Sequence, residues 1–150
     1  MAIGNVLRSR KIRQLDLPKF WVVDSKTSLA DTIEIMQKNG VGAVLVSDQE
    51  RLSGIFTERD VLCRVIADEL SPAKVTLGEV MTTDVICVNP QTDINEAAAI
   101  MQQKKIRHLP VCTETGKIAG MISIGDLNAF HASNQEQTIH FLNDYIYGRV

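Results

Sequence analysis

Residues 23–48, moved forward by 65 positions, meet their own likeness: Val23 falls on Val88, Thr27 on Thr92, Ile35 on Ile100, Met36 on Met101, Gln37 on Gln102 and Val46 on Val111. With one residue added in a turn the offset becomes 66, and Gly54 falls on Gly120, Thr57 on Ser123 and Asp60 on Asp126. A repeat of this size is one supersecondary unit that cannot bury its apolar face alone, so two copies must share a core. The lead-ins are expected to match as well. Ile3-Gly4-Asn5-Val6-Leu7 aligns with Leu77-Gly78-Glu79-Val80-Met81 at an offset of 74, leaving about nine extra residues in the first copy before Phe20.

Within each copy the hydrophobic period changes in the same order. A short extended run (20–23; 85–88) leads through a polar turn into a helix, whose apolar stripe is Leu29, Ile33 and Met36 in one copy and Ile94, Ala98 and Met101 in the other. Runs 41–46 and 106–111 read as buried strands, a polar turn follows, and 52–56 or 118–122 forms a second strand before a closing helix. The expected fold class is therefore α/β (α+β): two β-α-β-β-α repeats related by a pseudo-twofold axis, spanning 1–72 and 73–132. Ser133-Asn134-Gln135-Glu136 reads as a capped helix start, with Ile139, Leu142 and Ile146 as its stripe, so 133–150 is expected to be a C-terminal helix.

Apolar residues make up 45% of the 150, enough for a core without disulfide or metal staples. A net charge of −2 gives no general field for phosphate backbones or anionic lipid, so neither nucleic acid nor membrane is expected as a partner. The first residues lack the apolar run of a signal peptide and no stretch reaches the length of a bilayer span; the expected location is the cytoplasm. Cys63, Cys87 and Cys112 form no C-x-x-C pair and are expected to be buried as small apolar residues. Arg8, Arg10, Lys11 and Arg13, without interleaved aromatics, read as a solvated turn, and His131 and His140 as helix-surface residues.

The pattern most specific to this chain is Gly-h-h-Thr/Ser-x-x-Asp (h, apolar), present as Gly54 to Asp60 and again as Gly120 to Asp126, where a strand ends and a helix begins. One reading is helix capping, with Thr57 and Ser123 as N-caps and Asp60 and Asp126 in the first turn. The other uses the same geometry for a ligand: N–H groups at a helix start attract phosphate, and a carboxylate accepts from both hydroxyls of a ribose. Arg107-His108-Leu109-Pro110 is the second feature. Either its strand lies at an edge with the cations solvated or paired, or Arg107 and His108 hold a phosphate while Leu109 and Pro110 face a base. Val41-Gly42-Ala43 occupies the matching place in the first copy, apolar and small. No nucleophile elbow, zinc-protease, P-loop or dinucleotide fingerprint is found in the sequence, and no residue trio suggests a metal site. A catalytic role is not expected.

These turns, with "EVMTTDVICV" and "KKIRHLPV", resemble the cystathionine-β-synthase (CBS) domain pair over nearly the whole chain, particularly small stand-alone bacterial signalling proteins. The resemblance implies an adenine-nucleotide ligand (AMP foremost, with ATP, ADP or NAD(H) as alternatives) bound in clefts between the two copies, a homodimer, and a regulated partner protein. Carried over residue by residue, one cleft would combine Ile55, Thr57, Arg59 and Asp60 with Thr82, Val85, Arg107, His108, Leu109 and Pro110. The other would combine Ile122, Ser123 and Asp126 with Trp21, Val41, Gly42 and Ala43. Gly125 stands where Arg59 does, and Gly42-Ala43 where Arg107-His108 do, so the two sites should differ. Rival readings are a small NAD(H)-dependent redox protein and a nucleotide-free interaction adaptor.

Overall fold

The computed structural model describes residues 10–15, 17 and 19–132. The expected C-terminal helix with His140, the 3–7 lead-in and Arg8 lie outside the described residues. The described residues form two compact units, one from those up to residue 17 with 90–109 and 122–132, the other from 19–89 and 110–121. Each therefore draws on both copies of the repeat.

In the larger unit, β1 (Val22–Asp24), β2 (Ala43–Asp48) and β3 (Arg51–Thr57) form a sheet in that order, β1 parallel and β3 antiparallel to β2. Ala43, Val44, Leu45 and Val46 are all buried, as in a strand covered on both faces. The helix Leu29–Asn39 connects β1 to β2. Its N-cap, Ser28, accepts from the Asp31 N–H at 3.1 Å, and Gly40, at φ +61°, supplies the left-handed turn that ends it. That exit uses two more residues, since the Val41 N–H still bonds the Met36 carbonyl, and so β2 starts at Ala43 rather than at the expected 41. The second copy repeats this: Lys105, at φ +56°, ends the helix Ile94–Lys104, the Ile106 N–H bonds Met101, and β4 (His108–Cys112) starts two residues after the expected 106. Both stripes hold at their ends, with Leu29, Met36, Ile94 and Met101 buried, and differ only in the middle. Thr32 is buried where Ile33 was expected to be central, and Ala97 in place of Ala98. Burying Thr32 is tolerable because its hydroxyl donates to the Ser28 carbonyl at 3.0 Å.

The lead-in register needs correction. Ile12, Arg13 and Ile94 N–H groups bond the Thr92, Pro90 and Arg10 carbonyls, while Leu77, Gly78 and Leu29 N–H groups bond Thr27, Ser25 and Val75. Every pair in the first set maps onto one in the second at an offset of 65, the same as in the helices. Lys11 and Thr76 each cap a short turn, their N–H groups bonded to the side chains of Gln14 (2.8 Å) and Glu79 (2.6 Å), and Ile12 and Leu77 are the buried residues that follow. No nine-residue insertion separates the copies. The 3–7 likeness is incidental, because the five-residue match lacked the polar cap that fixes where each turn begins.

Copy two has no strand at 85–88, only a parallel bridge between Val88 and Val111. In copy one the Leu45 N–H reaches the Trp21 carbonyl at 2.9 Å, and the residue matching Leu45 is Pro110, which has no N–H. The ladder resumes only where proline is not asked to donate: the Val88 N–H bonds the Pro110 carbonyl (3.0 Å) and the Cys112 N–H bonds Val88 (2.8 Å). β4 pairs on its other side with β5 (Ile118–Ser123).

After β3 the closing helix consists of one α turn, Glu58–Asp60, and then a π-helical stretch, Val61–Ile66. Val65 is buried and Val61 packs on the core formed by Val23, Leu29, Met36, Val44, Val46, Phe56, Leu77 and Val80. Leu62, Cys63 and Ile66 are exposed. Cys87 is exposed as well, so only Cys112 meets the expectation of buried cysteine; Cys63 lies on the outer face of the π stretch, and Cys87 takes the place of Val22, which is exposed in the first copy. In the smaller unit Ile12, Ile94, Ala97, Met101, Leu109, Ile122 and Leu127 are buried, and residues 124–132 are helical. Lys11 pairs with Asp93 at 2.9 Å and Arg10 lies over the Phe130 ring, so two of the N-terminal cations serve local structure. Among the described residues no helix is long and apolar enough to cross a membrane.

Candidate functional site

The Gly54 to Asp60 turn sits at the end of β3 in the larger unit. Thr57 is the N-cap. Its N–H and hydroxyl donate to one Asp60 carboxylate oxygen at 2.9 and 3.3 Å, and its Oγ1 stands 3.4 Å from the Asp60 N–H. The other Asp60 oxygen lies 3.6 Å from Arg64 Nε. Arg64 also donates to the carbonyls of Val80 (3.4 Å) and Met81 (3.2 Å), tying the turn to the lead-in of the second copy. Ile55 and Thr82 exchange both backbone bonds, at 3.0 and 2.9 Å, so β3 and the lead-in run side by side with Thr82 two residues along from Val80.

This contact accounts for the motif's glycine. A Cβ on Gly54 would stand 2.6 Å from Met81 Sδ and 2.8 Å from the Thr82 carbonyl oxygen, far inside contact distance. The glycine is thus required by a close backbone approach, a reason that capping alone does not supply.

The matching turn in the smaller unit repeats the arrangement. Ser123 donates from its N–H (2.8 Å) and hydroxyl (2.9 Å) to Asp126, whose own N–H returns to Ser123 Oγ at 3.2 Å. Each turn is bonded to the residue just before β2 or β4 in its own copy: the Glu58 N–H to the Gly42 carbonyl at 3.0 Å, the Ile124 N–H to the Arg107 carbonyl at 2.8 Å. Chemically the two turns differ. The first carries Arg59 and Arg64, while the second has Ile124 and Gly125 in the two positions after its hydroxyl.

Of the remaining expected residues, Arg107 is exposed and precedes β4 instead of lying inside it, which removes the problem of a charge in a buried strand. His108 is half-buried at the start of β4. Leu109 is wholly buried, so its main chain rather than its side chain is what a ligand could meet, and the Pro110 carbonyl is already taken by Val88. Val85 is half-buried in the irregular stretch after Thr82. Ile122 is buried. Trp21 and Val41 pack against the core of the larger unit, Ala43 pairs with Thr57 across β2 and β3, and the Glu58 carboxylate lies 3.5–3.7 Å from where a Gly42 Cβ would be. Arg64 is the site residue that sequence reasoning missed; its spacing of i+4 from Asp60 on a helical segment was the available signal. The described residues include no cluster of three or more His, Cys, Asp or Glu side chains able to hold a metal ion.

Comparison with known proteins gives a consistent family. The CBS domain model matches residues 12–67 and again 77–131, starts that differ by the same 65 as the lead-in bonds. The CBS domain-containing protein CBSX3, mitochondrial, of Arabidopsis thaliana is 34% identical over 97% of this chain, which spans 72% of that protein. The Meiotically up-regulated gene 70 protein of Schizosaccharomyces pombe is 37% identical over 79% of this chain, but the match spans 16% of that protein. A solved CBS-domain protein of Burkholderia ambifaria, described as of the signal-transduction kind, superposes with a TM-score of 0.77 at 33% identity, covering 85% of this chain and 96% of its own.

Proposed function

The chain belongs to the CBS domain family, whose pairs are of the regulatory, signal-transduction type, and on that premise we propose that it is a non-catalytic sensor of an adenine nucleotide, AMP foremost. The observation that carries the reading is the pair of strand-to-helix turns in which a hydroxyl, a backbone N–H and a carboxylate converge twice over. Asp60 accepts from the ribose hydroxyls, and Thr57 and Arg59 meet the phosphate, with the positive end of the helix start favouring the anion. The second turn lacks a cation at the Arg59 position, so Ser123 and Asp126 suit a nucleoside better than a phosphate. Ligand acts by differential affinity for two arrangements of the protein, passing the change to a partner protein, and the working form is a homodimer.

Calorimetry with AMP, ATP and NADH on the wild type, Asp60→Ala and Arg107→Ala tests this. Asp60→Ala is expected to weaken every adenosine ligand about tenfold or more, and Arg107→Ala to weaken only phosphorylated ones, by about 1.5–3 kcal/mol, leaving adenosine unchanged. No heat and no melting shift with any ligand on the wild type would instead favour the adaptor reading, in which the turns are caps alone. An equal loss for adenosine in Arg107→Ala would remove the phosphate role from that residue.

A further inference from the structure

Two cysteines 25 residues apart meet in the larger unit, with Cys112 Sγ 3.7 Å from Cys87 Sγ. Their neighbours hold them there: Val88 and Val111 form the parallel bridge, and the Pro110 and Cys112 bonds to Val88 flank it on either side. The pair is not a product of the duplication, since the matching residues in the first copy are Val22 and Ser47. The two thiols are also unequal. Cys87 is exposed in an irregular stretch, whereas Cys112 is buried in β4, and burial together with its neighbour pushes its thiol up to about 12. An accessible thiol beside a buried one is the arrangement of an attacking and a resolving cysteine.

We propose that Cys87 and Cys112 form a reversible intrachain disulfide when the protein meets a peroxide. The Cys87 sulfur, as thiolate, attacks one peroxide oxygen; the O–O bond breaks, the other oxygen leaves as water or an alcohol after protonation, and Cys87 becomes a sulfenic acid. The Cys112 sulfur then attacks the Cys87 sulfur, the S–O bond breaks and water leaves with the Cys112 proton. Two thiols and one peroxide thus give one disulfide, water and the reduced peroxide, a two-electron exchange. A disulfide needs sulfurs about 2.05 Å apart. The remaining approach falls to the 83–87 segment, which contains no helix or strand and carries the exposed partner. Closing the bond pins that segment, which includes Val85 and follows Thr82, onto β4. The inference goes beyond the nucleotide reading and does not rest on it.

Intact mass and thiol alkylation of the full chain, before and after brief treatment with hydrogen peroxide, test it. Of the three thiols, only Cys63 should remain alkylatable; the mass should fall by about 2 Da, a digest should link the peptides of Cys87 and Cys112, and dithiothreitol should restore both. The oxidised form should melt several degrees higher. Cys63→Ser should behave as the wild type, and Cys87→Ser should keep the reduced wild type's circular dichroism while forming no intrachain bond. Cys87 sits at an exposed position, so that variant tests the chemistry without disturbing the core. Three thiols still alkylatable after treatment, sulfinic acid at Cys87 without a linked peptide, or a cross-linked species that vanishes in Cys63→Ser would each overturn the proposal.

Discussion

A single added carbon at Gly54 has no room. The atom would collide with Met81 Sδ and with the Thr82 carbonyl, and the latter cannot withdraw because Thr82 is hydrogen-bonded twice to Ile55. Gly54→Ala is therefore expected to destabilise the protein by about 1–3 kcal/mol, the usual range for overpacking, read from the midpoint of a urea melt. A loss below about 0.5 kcal/mol would mean that the lead-in yields and that the glycine has another purpose. The hydroxyl and carboxylate of the motif were legible in the sequence because a capping box is closed within four residues. The glycine's reason was not, since it depends on a backbone 28 positions away. The same distinction divides the cysteines: residue type argues for burial, but Cys87 takes the outward place that Val22 holds in the first copy, where it is exposed too.

Pro110 governs an entire element. The two copies carry the same apolar run before their first helix, yet one makes a three-residue strand and the other a lone bridge, and the difference in donors is Leu45 against Pro110. Pro110→Leu restores the missing N–H. It should bond the Ile86 carbonyl, as Leu45 bonds Trp21, and extend the Val88 bridge into a short strand worth about 1 kcal/mol. Hydrogen exchange gives the reading: the new amide at 110 should be slow and those of 86–88 slower than in the wild type, and fast exchange at 110 would rule out the restored ladder. Helices were legible because their burial repeats every three to four residues, and the strands as short apolar runs between polar turns, buried through 43–46 and 109–112. Their register was less so. The lead-in match at an offset of 74 rested on side-chain likeness alone, while the bonds from Ile12 to Thr92 and from Leu77 to Thr27 obey 65.

Across the whole molecule, Leu62 and Ile66 are 63% and 62% exposed on the π stretch, the most exposed large hydrophobic side chains among the described residues. If they join two chains, Leu62→Glu with Ile66→Glu should turn a sedimenting dimer into a monomer while leaving the thermal midpoint of the monomer unit little changed, and a monomeric wild type would end the idea. A second consequence comes from the exchange of lead-ins. Leu29 donates to Val75, while Thr27 and Ser25 accept from Leu77 and Gly78; Leu77 and Val80 complete the core around Phe56. Every one of those partners lies beyond residue 72, although the first sequence repeat ends there. A fragment of residues 1–72 keeps β1, β2 and β3 but loses two core side chains, each worth about 1.5–3 kcal/mol of burial, from a domain whose whole margin is about 5–15 kcal/mol. It also leaves the helix start at Leu29 without its bond. The fragment alone should therefore show no cooperative thermal transition by circular dichroism, and mixing it with residues 73–132 should restore one. A sharp transition from 1–72 by itself, near that of the full chain, would mean that the copies are autonomous and that the lead-in bonds are incidental to stability.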